Sequence, residues 1–178
     1  MTTLQITREM GIGINLGNTL EWFGDWIWEY GDHTPISYET AWGSPEIDKE
    51  MIEGIKREGF GVMRISVHWF NMMEEDYKKK GYLERVVEVI DWAIDTKLYV
   101  ILNIHHDENE FFKNMPNPIE YTIMNYRKIL EQIDEAFKDY NDYLMLEALN
   151  EEACWNDVYN PWSDTNEEKN KFLFIHIN

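Results

Sequence analysis

The chain has 178 residues, 44% of them hydrophobic and 15% aromatic, which is enough for one domain with a sizeable core and too apolar for a disordered segment. Its formal net charge of −18, from 16 basic and 34 acidic residues, argues against nucleic acid or an anionic membrane surface as partner, since both would be repelled. No apolar stretch is long enough to span a membrane, the first residues lack a basic and apolar leader, and the single Cys154 admits no intrachain disulfide.

In chain order, residues 11–17 form the first strand expected. Ser44-Pro45-Glu46 then reads as an N-cap, a first-turn proline and an acid near the positive helix end. Ile47, Met51, Ile52 and Ile55 mark one face of that helix, and Gly59 ends it. Residues 61–67 are a second strand, and Leu83, Val86, Val87, Ile90 and Ile94 mark a second helix. Residues 98–104 are a third strand, followed by a helical stripe of Ile119, Ile123, Tyr126, Leu130, Ile133 and Phe137. Residues 143–149 form a fourth strand that ends by presenting Asn150 and Glu151. Beyond it come a polar, aromatic loop with Trp155, Tyr159, Pro161 and Trp162, and a helix start at Thr165-Asn166-Glu167-Glu168. Residues 172–177 are that helix or a short strand.

Alternating strands and helices, with strands that are nearly continuous apolar runs, imply an α/β fold with a parallel sheet. Two architectures satisfy this: a doubly wound sheet, or a barrel of eight βα units of which the chain supplies about four. Gly11-Ile12-Gly13 and Gly17 lack the spacing and helix context of a dinucleotide loop, which weakens the doubly wound option. No linker or low-complexity tract divides residues 1–178, so one partial domain is expected.

In a parallel barrel, active groups gather where strands end. The strand ends here are polar in series: Asn18 and Glu21, then Arg64 with His68 and Trp69, then His105, His106 and Asp107, then Asn150 and Glu151. Glu151, shielded by aromatics, is suited to donate a proton, or it is a capping or surface acid. Asn150 is a donor to a substrate hydroxyl or a turn residue. Arg64 interrupts an apolar strand and needs an acceptor, for which a catalytic carboxylate is natural; otherwise it reaches solvent from a strand edge. His105 and His106 are adjacent on a strand, so their side chains are expected on opposite faces, which disfavours a shared metal. No cofactor is implied.

Together these segments resemble glycoside hydrolase family 5, the cellulase family of β/α barrels. Gly13-Ile14-Asn15-Leu16-Gly17-Asn18-Thr19-Leu20-Glu21 is similar to its opening strand, and Glu39-Thr40-Ala41-Trp42-Gly43-Ser44-Pro45 to the approach to its first helix. Val62-Met63-Arg64-Ile65-Ser66-Val67-His68-Trp69, Tyr99-Val100-Ile101-Leu102-Asn103-Ile104-His105-His106-Asp107 and Leu149-Asn150-Glu151 resemble its second, third and fourth strands. The Glu-Thr-Ala-Trp-Gly segment looks most like the endoglucanase and xyloglucanase branch.

The resemblance implies retaining cleavage of a β-glucan such as cellulose, mixed-linkage glucan or xyloglucan, with Glu151 as general acid/base. It implies that Asn150 binds the sugar 2-hydroxyl, Arg64 holds the nucleophile's carboxylate and His105 helps position the site. Asn18, Glu21 and His106 would bind sugar, with Trp42 and Trp69 in stacking or wall roles. It also implies secretion of the full-length member. Where the family commonly has Pro, this chain has Glu152, a second carboxylate beside Glu151. The nucleophile of the family lies near a seventh strand, outside these residues. The expectation is therefore a half-barrel inactive alone, self-associating through open sheet edges or needing a complementing half. The alternative is a non-catalytic carbohydrate-binding half-barrel.

Overall fold

The computed structural model of the chain describes residues 2–22, 34–69, 81–107, 119–148 and 150. They belong to two compact units, one formed by Met1–His106 with Lys138–Asn150 and the other by Asp107–Phe137 with Glu151–Asn178. The first unit contains α1 (Thr3–Met10), β1 (Gly13–Leu16), α2 (Pro35–Glu39), α3 (Lys49–Arg57), β2 (Val62–Val67), α4 (Tyr82–Asp95) and β3 (Tyr99–Ile104). The second contributes α5 (Ile119–Phe137), and the chain returns to the first for β4 (Leu144–Glu147).

The strands form one parallel sheet in the order β1-β2-β3-β4. Sequential order without reversal has no topological switch point, so it decides for the barrel type of winding over the doubly wound one. One sheet face carries Met63, Ile65, Val67, Val100, Leu102 and Ile104, all at most 3% exposed. α4, which packs on α3 and β3, buries Val86, Val89, Ile90 and Ala93 completely. The other face carries Asn15, Arg64, Ser66, Asn103 and Glu147, brought side by side by the register.

The start of the sheet is tied to α1. Gly61 N–H donates to the Ile12 carbonyl at 2.9 Å, and a Cβ on Gly61 would lie 2.0 Å from the Met10 carbonyl oxygen. The Tyr99 hydroxyl donates to Glu9 at 2.8 Å, and its ring stacks on Tyr143 at 4.5 Å. The bond to Glu9 foremost, then burial, pushes the Tyr99 phenol up to about 12.

A second fastening lies between α2 and α4. Glu39 is fully buried and accepts from Arg85 Nε at 2.9 Å, from Arg85 Nη2 at 3.0 Å and from the Ile47 N–H. Arg85 also donates to the Ile47 carbonyl at 2.6 Å and to Glu88 at 2.6 Å. Burial opposes the Arg85 charge, but the bonds to Glu39 and Glu88 outweigh it and raise its pKa.

Several local expectations are corrected. The helix expected from Ser44 begins at Lys49 with Asp48 as N-cap, its carboxylate accepting from Met51 N–H at 2.7 Å. Ser44 Oγ instead donates to the Asn18 carbonyl at 2.6 Å, and Glu39 holds Ile47, so the intervening residues stay non-helical. Helix α1 was not anticipated; it starts on a capping box of Thr2 and Gln5. On α4 the buried face is Leu83, Val86, Val89, Ile90 and Ala93, leaving Val87 and Ile94 half-buried at its margins. On α5, Tyr126, Ile129, Ile133 and Phe137 are buried, with Leu130 at the margin. The loop and helix expected after Glu151 lie outside the described residues.

Candidate active site

Arg64 projects from β2 and gathers three strands. Its Nε donates to Glu147 Oε2 on β4 at 2.7 Å, and its Nη2 donates to Asn150 Oδ1 just beyond β4 at 2.9 Å. Nη1 donates to Ser66 Oγ on β2 at 3.2 Å and makes a longer contact of 3.4 Å with Asn15 Oδ1 on β1. The sequence reading sought a catalytic carboxylate as acceptor; the carboxylate found is Glu147, four residues before Glu151. A guanidinium has five N–H donors. The partners above use four, so one Nη2 N–H has no acceptor among the described residues. Glu151 itself lies outside the described residues.

The end of β3 supplies two histidines. His105 N–H donates to the Val67 carbonyl at 2.9 Å, and its Nδ1 lies 2.7 Å from Asn103 Oδ1. The expectation that His105 and His106 face opposite ways is corrected: their rings meet edge to face at 4.3 Å and 79°. The reason is that β3 stops at Ile104 and His106 takes a left-handed φ of 62°, so strand alternation no longer applies.

The segment after β1 folds on itself. Asn18, exposed and at φ 59°, and Thr19 both donate their backbone N–H groups to the carboxylate of Glu21. Glu21 is 5% exposed, and both of its oxygens hold this turn. Gly17 makes the approach feasible, since a Cβ there would lie 2.9 Å from Asn15 Nδ2 and 3.5 Å from Glu21 Oε1. Trp42 is exposed and meets the edge of buried Trp22, whereas Trp69 is buried. His68 continues the β1–β2 ladder through its N–H to Leu20, and its Nδ1 lies 3.1 Å from the Trp22 carbonyl.

Arg64 within β2, His105 just past β3 and Asn150 beyond β4 thus stand on successive strands, with Arg64 bound directly to Asn150. The residues missed by sequence reasoning are Glu147, Asn103, Asn15 and Ser66. Their signal is polar residues at alternate positions of otherwise apolar strands, which places them on one face. Among the described residues, no group of three His, Cys, Asp or Glu converges as a metal site would require.

Residues 29–173 match the family described as Cellulase (glycosyl hydrolase family 5). Endoglucanase A of Clostridium longisporum is 39% identical over 167 residues, covering 93% of this chain. A GH5-4 broad specificity endoglucanase from Ruminococcus champanellensis, solved with bound cellotriose, superposes with a TM-score of 0.81 at 32% identity over 94% of this chain. A variant of a family 5 enzyme from Prevotella bryantii B14, solved with a xyloglucan tetradecasaccharide, gives 0.74 at 29% identity over 84%. The chain spans 32% of the Clostridium longisporum protein, and 48% and 44% of the two solved chains. These structural neighbours are (β/α)8 barrels, so the four parallel strands are part of such a barrel.

Proposed function

The chain belongs to glycosyl hydrolase family 5, and from that membership we propose that its strand ends form the acid/base half of an endo-β-1,4-glucanase site. The observation that carries this reading is the Arg64 guanidinium, which binds Asn150 beside Glu151 and keeps one N–H in hand. In this reading Glu151 protonates the leaving glycosidic oxygen and then activates water. Asn150 Nδ2 donates to the sugar 2-hydroxyl, and the remaining Arg64 N–H holds the nucleophile's carboxylate. Retaining cleavage needs a second carboxyl group roughly 5 Å across the bond from the first. A later strand of the complete barrel supplies it.

The substrate class is a β-1,4-glucan, cellulosic or xyloglucan, as the cellotriose and xyloglucan bound to the solved relatives suggest. The −18 charge suits an uncharged polymer. Trp42, exposed beside the β1 loop, together with Asn18 and His106, is the sugar-facing set in this reading.

The test joins this chain to the remaining barrel of Clostridium longisporum endoglucanase A. The chimera hydrolyses carboxymethyl cellulose, and Glu151→Gln lowers the rate roughly 10²–10⁴-fold. A Glu151→Gln chimera with undiminished turnover would falsify the assignment. The 178 residues by themselves bind cello-oligosaccharide in titration without releasing product. β1 and β4 bound the sheet among the described residues, and Leu146 on β4 is 54% exposed. Such edges pair with further strands, so the 178 residues alone self-associate; a monodisperse monomer in sedimentation contradicts this.

A further inference from the structure

Asn103 is fully buried in the middle of the sheet, between Ser66 on β2 and Glu147 on β4. Asparagine is depleted in strands, and burying its amide is costly unless both ends are bonded. Among the described residues the side chain has one hydrogen-bond partner, His105, and its Nδ2 has none. A group placed to stabilise the sheet would be satisfied at both ends. One placed at a cost, with a single contact to a strand-end histidine, is explained by that histidine.

We propose that Asn103 is a positioning residue that sets the tautomer of His105. An amide oxygen only accepts, so the 2.7 Å contact requires the proton to sit on His105 Nδ1. An imidazole side chain in water favours the opposite form, with the proton on Nε2. The Asn103 contact reverses that preference and makes Nε2 an acceptor. The edge-to-face ring of His106 and the Asn103 contact fix the plane of the His105 ring. His105 therefore enters its site as an acceptor for a hydroxyl donor, a sugar hydroxyl if the β-glucan reading holds. The functional meaning rests on that reading; the tautomer does not.

Long-range proton–nitrogen spectra of the chain labelled with ¹⁵N-histidine read the tautomer directly, without substrate. Expected is a dominant Nδ1–H form for His105 at neutral pH, assigned by its loss in His105→Gln. In Asn103→Leu that form becomes the minor one, while Asn103→Asp, whose carboxylate also accepts, retains it. A dominant Nε2–H form in the unmodified chain overturns the proposal, and so does a tautomer unmoved in Asn103→Leu. Should Asn103→Leu fail to fold, the unmodified spectrum still decides. An inactive chimera with the Nδ1–H form intact would count against the β-glucan reading alone.

Discussion

Two arginines in this chain reach glutamates far away in sequence, and they are built for different tasks. Arg85 and Glu39, 46 residues apart, have side chains 9% and 0% exposed and meet through two N–H bonds, one to each carboxylate oxygen. Arg64 and Glu147, 83 residues apart, have side chains 26% and 39% exposed, meet through a single N–H, and leave Arg64 free to bind Asn150 as well. A buried, doubly bonded pair locks one helix to another; a half-open one holds a side chain where a ligand can reach it. Salt-bridge distance alone does not tell them apart, since both are under 3 Å at 2.9 and 2.7 Å. Burial and the number of bonds within the pair do, two for Arg85–Glu39 and one for Arg64–Glu147.

The largest effect should come from breaking the buried pair. Glu39→Ala strands the Arg85 charge and should cost about 3–5 kcal/mol in urea unfolding, whereas replacing both by Leu and Met should cost less than either single change. A Glu39→Ala loss near zero would erase the distinction. Arg64→Met should cost only about 1–2 kcal/mol, because its partners are open to water. Its main penalty should appear as lost cello-oligosaccharide affinity, and Arg64→Lys should lose it too, for want of a fork.

A smaller effect should appear at the opposite end of the strands. Tyr99 is raised from 10.0 to about 12 by Glu9, so the folded state keeps a proton that the unfolded state loses. Stability should be intact below pH 10 and fall as pH rises toward 12. Tyr99→Phe should remove that slope in an alkaline unfolding series. The smallest effect belongs to Lys49 and Asp95, an exposed pair at 3.8 Å; Asp95→Asn should shift stability by less than about 0.5 kcal/mol.

How much was legible follows the range of the interactions. The strands were readable because β2 and β3 are six-residue apolar runs whose outer face is wholly buried. The strand-end series was readable for the same reason, as polar residues that break those runs. The start of α3 was not, because Glu39 grips Ile47 from eight residues away and overrides the local Pro45 signal. Helix α1 gave little warning because it buries no residue. The pairing of the two histidines was missed because one backbone rotation at His106 ends the alternation. Two partners of Arg64, Glu147 on β4 and Asn150 just beyond it, lie 83 and 86 residues away, beyond any local pattern.

The contact between Gly61 and the end of α1 has a practical consequence for engineering the chain. Since α1 buries no side chain, it is retained by backbone proximity at Gly61 and by the Glu9–Tyr99 bond. A fusion partner can therefore be attached ahead of Thr2 at little cost. Trimming past Glu9 would instead take away the carboxylate that the Tyr99 hydroxyl donates to, and with it the main cause of that phenol's raised pKa.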